Sequence, residues 1–273
     1  MDLNYHYDTN HVRYELVSSH EGKQYNWLFF PGGPGLDSRY LHSLVDLLEL
    51  PGNVWLVDFP GNGDNLVEED YDYNKWLGLF IPAILKFENP IAVGHSFGGM
   101  LPLLYPELET HLSGLVILNS TPSLWLEEAV NYSRQFDLPD LSADMADFVT
   151  NPSQLTFQKA LDACTPYYFH PSFMEGGKAV FKDIPFPYKA AVWGQKIMAE
   201  LNYSAKWAPQ NVPTLIMGGT YDCITPFTLF QKNLAFHRPN IEMVLIEKGG
   251  HFPWIEDPES VKEAFSSFVK TLN

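Results

Sequence analysis

Cysteine is scarce in this chain, and its shortage excludes two classes of protein at once. Only Cys164 and Cys223 occur among the 273 residues, and they stand far apart in sequence. Two distant cysteines cannot build a disulfide scaffold, and no Cys/His spacing resembles a zinc site. The nine histidines are scattered, without a His-Glu-x-x-His pair. The sequence therefore predicts a protein that needs neither a metal nor another cofactor.

Basic residues are also few, so acidic side chains dominate the charge. Lys and Arg total 17 against 33 Asp and Glu, which gives a net charge of −16, and no basic cluster occurs. Such a chain repels phosphate backbones and anionic lipid. We therefore expect no nucleic-acid partner and instead a small-molecule or short-peptide substrate. The composition leaves the oligomeric state open.

Long apolar runs are missing as well. The longest, Trp76–Leu85, is broken by Gly78 and Pro82 and is too short to cross a bilayer. The N-terminal residues Met-Asp-Leu-Asn-Tyr-His-Tyr-Asp contain neither the basic nor the apolar segment of a secretory signal. These features predict a cytoplasmic protein without a membrane span. Hydrophobic residues make up 45% of the chain, which is enough to exclude a disordered protein.

The sequence does contain an alternation of short β-type runs with helical patterns. The runs that we interpret as strands are Val12–Leu16, Tyr25–Phe30, Val54–Val57, Ile91–Val93, Leu115–Leu118, Thr214–Met217 and Met243–Ile246. Most are continuously apolar, as expected for strands covered by helices on both faces, so the fold class is α/β with a mostly parallel sheet. Residues 121–208 instead read as several amphipathic helices. We therefore divide the chain into a core of residues 1–120 and 209–273 and a helical cap of residues 121–208.

The strongest chemical signal is the stretch Gly94-His-Ser-Phe-Gly-Gly99, which follows a β-type run and precedes a helical one. A Gly-x-Ser-x-Gly motif in a strand-to-helix turn strains the serine backbone and exposes its hydroxyl. We predict that Ser96 is a catalytic nucleophile. The alternative is an ordinary glycine-rich turn whose serine caps the next helix.

A serine hydroxyl needs a base, and the base needs an acid to orient it. Asp222 and His251 lie in the loops that follow the last two predicted strands, in the order Ser, Asp, His that this kind of turn requires. We predict that His251 removes the Ser96 proton and that Asp222 fixes the tautomer of His251. Two other strand ends are weaker candidates, because Asn119 is not a carboxylate and Asp58 shapes its own Pro-Gly turn.

The second signal is a loop rich in proline and glycine, Phe30-Pro-Gly-Gly-Pro-Gly35, directly after a predicted strand. An oxyanion hole needs two backbone N–H groups aimed at the developing negative charge. We assign these groups to Phe97, just after the predicted nucleophile, and to Gly33 in this loop. A phosphate-binding loop is the rival interpretation, but no Gly-Lys-Ser/Thr follows and the pattern Gly-x-Gly-x-x-Gly is not matched.

On these residues the chain resembles the α/β-hydrolase superfamily along essentially its whole length. Three further stretches strengthen the resemblance: Asp58-Phe-Pro-Gly-Asn-Gly63, Gly218-Gly-Thr-Tyr-Asp-Cys-Ile-Thr-Pro226 and Gly249-Gly-His-Phe-Pro253. The resemblance implies an eight-stranded, mostly parallel sheet flanked by helices. It also implies that the first strands are antiparallel and that a helical cap follows the sixth strand.

The loop Pro31–Gly35 is specifically similar to the His-Gly-Gly-Pro-Gly loop of proline iminopeptidases. The chain departs from those enzymes at three places. Pro31 stands where they carry His, the nucleophile turn is Gly-His-Ser-Phe-Gly instead of Gly-Gly-Ser-Trp-Gly, and Asp58-Phe-Pro-Gly61 replaces Asp-Gln-Arg-Gly. The similarity to proline iminopeptidases is therefore partial.

Together these residues predict a serine hydrolase that cleaves a carboxylic ester or amide through an acyl-enzyme. Three alternatives stay open: a proline iminopeptidase-like aminopeptidase, an acyltransferase with the same triad, and a non-catalytic ligand-binding member of the fold. In the aminopeptidase, a cap carboxylate would pair with the substrate's amino terminus, and the candidates are Glu127, Glu128, Glu175 and Asp183. We expect no catalytic role for His95, which points away from the turn, or for Cys223, whose surroundings do not activate a thiol.

Overall fold

The computed structural model describes residues 5–21, 25–182 and 185–272, and its centre is an eight-stranded sheet. The strands are β1 (Tyr5–Tyr7), β2 (Arg13–His20), β3 (Asn26–Phe30), β4 (Gly52–Asp58), β5 (Pro90–His95), β6 (Gly114–Leu118), β7 (Thr214–Gly219) and β8 (Ile241–Ile246). Their order in the sheet is β1-β2-β4-β3-β5-β6-β7-β8. The pairs β1–β2 and β2–β4 are antiparallel, and the other pairs are parallel. The predicted α/β fold with a mostly parallel eight-stranded sheet is confirmed.

Helices surround this sheet on both sides. The α-helices are α1 (His42–Val45), α2 (Lys75–Leu85), α3 (Phe97–Met100), α4 (Leu126–Ser133), α5 (Ser142–Thr150), α6 (Gln154–Tyr168), α7 (Met174–Lys182), α8 (Tyr188–Glu200), α9 (Thr228–Gln231), α10 (Pro253–Glu256) and α11 (Pro258–Val269). Short 3-10 helices occur at Ser38–Leu41, Pro102–Leu104, Pro106–Thr110, Pro171–Phe173 and Leu234–Phe236. No helix within the described ranges is long and apolar enough to cross a membrane.

The apolar strands are explained by this two-sided cover. Neighbouring residues of a strand point to opposite faces of the sheet. In β3, Leu28 and Phe30 pack with α2 on one side, whereas Trp27 and Phe29 pack with α11 on the other. A strand that is buried on both faces must be apolar at every position, which is the pattern that the sequence displays.

Helices α4–α8 all lie between β6 and β7, in the segment that the sequence assigns to the cap. No strand of the sheet falls among the described residues between Leu118 and Thr214. Asp183, one of the predicted cap acids, lies outside the described residues. The division into a core and a cap stays a prediction, and α4–α8 are called the intervening helices below.

Candidate active site

Ser96 occupies a sharp turn between the end of β5 and the start of α3. Its backbone has φ 53° and ψ −120°, and a residue with a side chain rarely adopts such a positive φ. A Cβ on Gly94 would lie 2.2 Å from the Gly98 carbonyl oxygen, and a Cβ on Gly98 would lie 2.4 Å from the Phe30 oxygen. Only glycine fits at these two positions, which explains the Gly-x-Ser-x-Gly pattern. The turn therefore holds a strained, half-buried serine at the carboxyl edge of the sheet.

Asp222 and His251 meet beyond the carboxyl ends of β7 and β8. His251 Nδ1 lies 2.9 Å from Asp222 Oδ2, and both side chains are almost completely buried. Thr225 supports the acid, since its backbone N–H donates to Oδ1 and its hydroxyl donates to Oδ2, both at 2.9 Å. Burial by itself raises the pKa of the Asp222 carboxyl, but the charge on His251 and these hydrogen bonds outweigh it, and the pKa falls below its ordinary value. The pair is thus a carboxylate that holds an imidazole by its Nδ1 atom.

Ser96 stands at the same edge of the sheet as this pair, next to a residue whose ring packs against His251. Within the part of the chain that the structure describes, no hydrogen bond joins Ser96 Oγ to His251. The residue next to the serine, His95, has its ring centroid 4.7 Å from that of His251. Nucleophile–base hydrogen bonds are often long before a substrate binds. The structure joins Asp222 to His251 directly and brings Ser96 to the same edge of the sheet.

The loop after β3 lies against the serine turn. A Cβ on Gly32 would be 2.8 Å from Ser96 Cβ. The Gly32 N–H already donates to the Tyr40 hydroxyl at 2.8 Å. Over the described ranges, the N–H groups of Gly33 and Phe97 donate to no acceptor. Each of these adjacent segments therefore carries one N–H group that has no acceptor among the described residues.

Asn119, directly after β6, is a site residue that sequence reasoning missed. It is buried, and its φ of 42° is left-handed. Its Nδ2 donates to Asp222 Oδ2 at 3.0 Å and to the Gly250 carbonyl at 2.8 Å. One amide therefore holds both the acid and the residue before His251. The signal was its position, because β6 lies between β5 and β7 in the sheet.

Asp58, the alternative acid at a strand end, belongs to a different cluster. Its Oδ2 lies 2.8 Å from Arg13 Nη2 and accepts a hydrogen bond from the Ser38 hydroxyl at 2.7 Å. Arg13 also pairs with Asp37 at 3.1 Å. Buried charges need partners of this kind. The cluster ties β2 and β4 to the chain that follows the Pro31–Gly35 loop, so Asp58 supports that loop and not the imidazole.

Glu256 in α10 joins the loop that carries His251, called the histidine loop below, to the segment at the end of α6. Its Oε2 accepts from the Gly250 N–H at 2.5 Å, and its Oε1 accepts from the His170 N–H at 2.7 Å. The His251 N–H donates to the Tyr168 carbonyl at 2.6 Å. Burial raises the pKa of Glu256 to about 7, although the two N–H donors act in the opposite direction. The loop that carries His251 is therefore fixed to the intervening helices through its main chain.

Apolar residues of α8 and of the segment before it cover the Pro31–Gly35 loop. The Trp193 ring lies 5.9 Å from the Phe97 ring. A Cβ on Gly194 would lie 2.0 Å from Pro34 Cγ, so α8 packs directly on the loop. Phe186 approaches Gly33, since a Cβ on that glycine would lie 3.1 Å from the Phe186 ring. The surface around the two unpaired N–H groups is thus largely apolar.

The predicted cap acids that the structure describes lie on solvated faces. Glu128 pairs with Lys232 at 2.8 Å and accepts from the Thr228 hydroxyl at 2.7 Å. Glu127 and Glu175 are exposed. These positions suit solvent and surface ion pairs better than a substrate's amino group.

Two further features of the described residues concern the Cys223 thiol and possible metal ligands. Burial, followed by the neighbouring Asp222 carboxylate, raises the pKa of the Cys223 thiol to about 12, which keeps it in the unreactive form. No group of three or more His, Cys, Asp or Glu side chains in the described ranges could hold a metal ion.

Comparison with known proteins gives one family and two kinds of relative. A sequence model described as the alpha/beta hydrolase family matches residues 27–264. The chain is 24% identical over 264 residues to a pimeloyl-[acyl-carrier protein] methyl ester esterase of Wigglesworthia glossinidia brevipalpis, covering 90% of this chain and 94% of the relative. It is 26% identical over 269 residues to a proline iminopeptidase of Levilactobacillus brevis, covering 89% of this chain and 87% of the relative.

Solved structures agree on the fold. A proline iminopeptidase-related protein from Thermus thermophilus superposes with a TM-score of 0.71 at 18% identity, covering 100% of this chain and 99% of its own. An esterase from Exiguobacterium antarcticum gives a TM-score of 0.68 at 17% identity, covering 97% and 98%. Similarity at this level of identity establishes the architecture and leaves the substrate to be argued from the site.

Proposed function

Because the chain belongs to the alpha/beta hydrolase family, we propose that it is a serine hydrolase that cleaves a carboxylic ester or amide through an acyl-enzyme. The proposed catalytic triad is Ser96, His251 and Asp222, and the proposed oxyanion hole consists of the N–H groups of Gly33 and Phe97. One observation carries the proposal: a serine with a strained, positive φ stands at the same sheet edge as a buried imidazole–carboxylate pair.

In the first half of the reaction, Ser96 Oγ attacks the substrate carbonyl carbon while His251 Nε2 takes the hydroxyl proton. Asp222 accepts the Nδ1–H hydrogen bond and stabilises the imidazolium that forms. The carbonyl oxygen becomes negatively charged, and the unpaired N–H groups of Gly33 and Phe97 bind it. His251 then gives its proton to the leaving alcohol or amine, which departs and leaves an acyl-serine.

In the second half, His251 removes a proton from water, and the resulting hydroxide attacks the acyl carbon. The same N–H groups bind the second oxyanion. Collapse of this intermediate breaks the bond to Ser96 Oγ, which takes its proton back from His251, and the carboxylic acid is released. No atom in this cycle needs a redox partner.

We propose that the intervening helices form a cap, residues 121–208, that shapes the substrate pocket. Phe186 and Trp193 give the cap side of the site an apolar surface next to Gly33 and Phe97. An apolar wall favours an uncharged acyl or alkyl group. The relative named as a methyl ester esterase supports an ester substrate.

A proline iminopeptidase-like activity is the second candidate, and the relative named proline iminopeptidase favours it. The exposed position of Glu127 and the ion pair between Glu128 and Lys232 count against it, because an aminopeptidase needs a carboxylate at the substrate's amino terminus. An acyltransferase would use the same acyl-serine with an alcohol or amine in place of water.

The proposal is tested by labelling the protein with a fluorophosphonate and mapping the adduct by mass spectrometry. We expect one adduct, on Ser96, and a loss of kcat by about 10⁴-fold or more in Ser96→Ala towards p-nitrophenyl butyrate. Parallel assays with proline p-nitroanilide and with added alcohols or amines separate the three enzyme activities.

Ser133→Ala is the matched control, because Ser133 is a serine of α4 whose hydroxyl donates to the Val130 carbonyl of the same helix. It should keep both the labelling and the activity. An adduct on another residue, or full activity in Ser96→Ala, would refute the triad.

A further inference from the structure

His95, which precedes the serine, has a buried hydrogen bond at each ring nitrogen. Its Nδ1 lies 2.7 Å from the Tyr40 hydroxyl, and its Nε2 lies 2.9 Å from the His251 carbonyl oxygen. The side chain is 2% exposed, and Tyr40 and Trp254 pack against its ring with centroids 5.5 and 5.0 Å away. The ring therefore lies between the serine turn and the histidine loop.

The partners of these atoms fix the direction of every hydrogen bond. The His251 carbonyl can only accept, so His95 Nε2 must carry a proton. The Tyr40 oxygen already accepts the Gly32 N–H at 2.8 Å, which leaves its own O–H to donate to His95 Nδ1. A neutral imidazole protonated on Nε2 satisfies all of these groups.

Burial favours the same protonation state. It lowers the pKa of His95 well below its ordinary value and raises that of Tyr40. An imidazolium would direct an Nδ1–H at a tyrosine oxygen that already accepts from Gly32, and the Tyr40 proton would then need another acceptor. The hydrogen bonds from Gly32 through Tyr40 and His95 to the His251 carbonyl therefore all point in one direction at neutral pH. We call them the hydrogen-bond chain below.

We propose that His95 and Tyr40 are positioning residues. They fix the positions of the Pro31–Gly35 loop, the turn at Ser96 and the loop that carries His251 relative to one another. The hydrogen-bond chain begins at Gly32, passes through Tyr40 and His95, and ends at the backbone carbonyl of His251. Gly32 is the neighbour of Gly33, and His95 is the neighbour of Ser96. Neither side chain touches a reacting atom. This role rests on the proposed serine-hydrolase function, because the parts that it aligns are the parts of that site.

Two substitutions interrupt the hydrogen-bond chain at different points. Tyr40→Phe removes the hydroxyl between Gly32 and His95. His95→Asn keeps an acceptor near the place of Nδ1 and removes the donor to His251. We expect each to lower kcat for p-nitrophenyl butyrate about 10- to 100-fold while KM changes less than about threefold, since alignment acts on the chemical step.

The double variant shows whether Tyr40 and His95 act on kcat as one coupled unit or through two independent structural effects. If the two residues act as one unit, Tyr40→Phe with His95→Asn lowers kcat no more than about threefold below the worse single variant. Multiplied losses, changes confined to KM, or unchanged kcat would overturn the positioning role. Tyr105→Phe is the control, because the Tyr105 hydroxyl donates to the Leu77 carbonyl of α2, a helix that carries none of the proposed site residues.

Fluorophosphonate labelling separates the two proposals. A wild-type protein labelled at Ser96, together with normal kcat in these variants, refutes the positioning role alone. An unlabelled Ser96 in the wild type refutes the serine hydrolase and the positioning role together. If the variants do not fold, ¹⁵N NMR of the wild type decides: His95 should be neutral and protonated on Nε2, and either the other tautomer or an imidazolium overturns the proposal.

Discussion

At position 119 an amide does what a carboxylate could not do. The Asn119 Nδ2 group supplies two N–H donors, one to Asp222 Oδ2 and one to the Gly250 carbonyl. A carboxylate there would offer no donor when ionised and would bring a second negative charge beside the Asp222 carboxylate. Asn119 is unsuited to being the triad acid and suited to holding that acid in place.

Replacing Asn119 with Asp should therefore destabilise the protein more at high pH than at low pH. The introduced carboxyl is buried beside Asp222, so folding raises its pKa. A group of this kind weakens folding as the pH rises through its folded pKa. For a shift of about 1.5 units from an unfolded pKa of about 3.9, the full deficit in the free energy of unfolding is about 2 kcal/mol, of which about 1.3 kcal/mol is already present at about pH 5. The deficit measured with urea should therefore be about 0.7 kcal/mol larger at about pH 8 than at about pH 5.

Asn119→Ala provides the comparison for this measurement. It removes the same two hydrogen bonds without adding a titratable group, so it should lose about 1–3 kcal/mol at both pH values. If Asn119→Asp shows the same pH dependence as Asn119→Ala, the carboxyl does not feel Asp222 and the argument fails.

Local motifs predicted which residues to examine at the candidate site, but not how they are held. Ser96, Asp222 and His251 could be chosen because each follows a strand in a recognisable loop. The function of Asn119 depends on partners 103 and 131 positions away, and His95 Nε2 meets a carbonyl 156 positions away. Long-range contacts of this kind follow from the packing of the sheet, which no short segment of sequence specifies.

The elements themselves were easier to predict where they are buried. Each predicted strand overlaps an observed one. Most of them are short apolar runs that end near glycine or proline, a pattern typical of strands covered on both faces. Apolar residues from Tyr40 to Leu48 recur at helical spacing and predict a helix there, and this prediction was less reliable. The structure forms a 3-10 helix at Ser38–Leu41 and only one α-turn at His42–Val45. Contacts of Ser38 with Asp58 shape this segment, and they override helical spacing.

The clamp between α10, α6 and the histidine loop should make stability depend on pH. Folding raises the Glu256 pKa from 4.5 to about 7. Its contribution to stability is therefore fully present below about pH 4.5 and is lost as the pH rises through about 7. Relative to Glu256→Gln, the wild type should lose up to about 3 kcal/mol of unfolding free energy between about pH 5 and about pH 8.

Asp257→Asn is the neighbouring control for this clamp. The Asp257 carboxylate caps α11 by accepting from the Ser260 N–H and hydroxyl, and within the described ranges it has no hydrogen bond to Gly250 or His251. Its variant should keep the pH slope of the wild type, with a loss of about 1 kcal/mol from the weaker helix cap. Parallel pH slopes for wild type and Glu256→Gln would contradict the assignment of the slope to Glu256.

Over the whole molecule, the net charge of −16 acts on any substrate that carries charge. Potentials summed over a surface alter encounter rates by attracting one sign and repelling the other. The effect reaches about 30 Å at 0.01 M salt and about 8 Å at 0.15 M. Phe186 and Trp193, which lie beside Gly33 and Phe97, are themselves uncharged.

Salt should therefore change the kcat/KM of a charged ester and leave a neutral one nearly constant. We expect kcat/KM for the p-nitrophenyl monoester of a short dicarboxylic acid to rise about three- to tenfold from about 0.01 M to about 0.15 M NaCl. The neutral p-nitrophenyl ester of equal length should change less than about twofold, and a cationic aminoacyl ester should lose rate. If all three esters respond alike, salt acts on the protein itself, and the overall charge does not select the substrate. If only the anionic ester responds, a local group near Ser96 and not the net charge is responsible, because a field of the whole molecule must act on both signs.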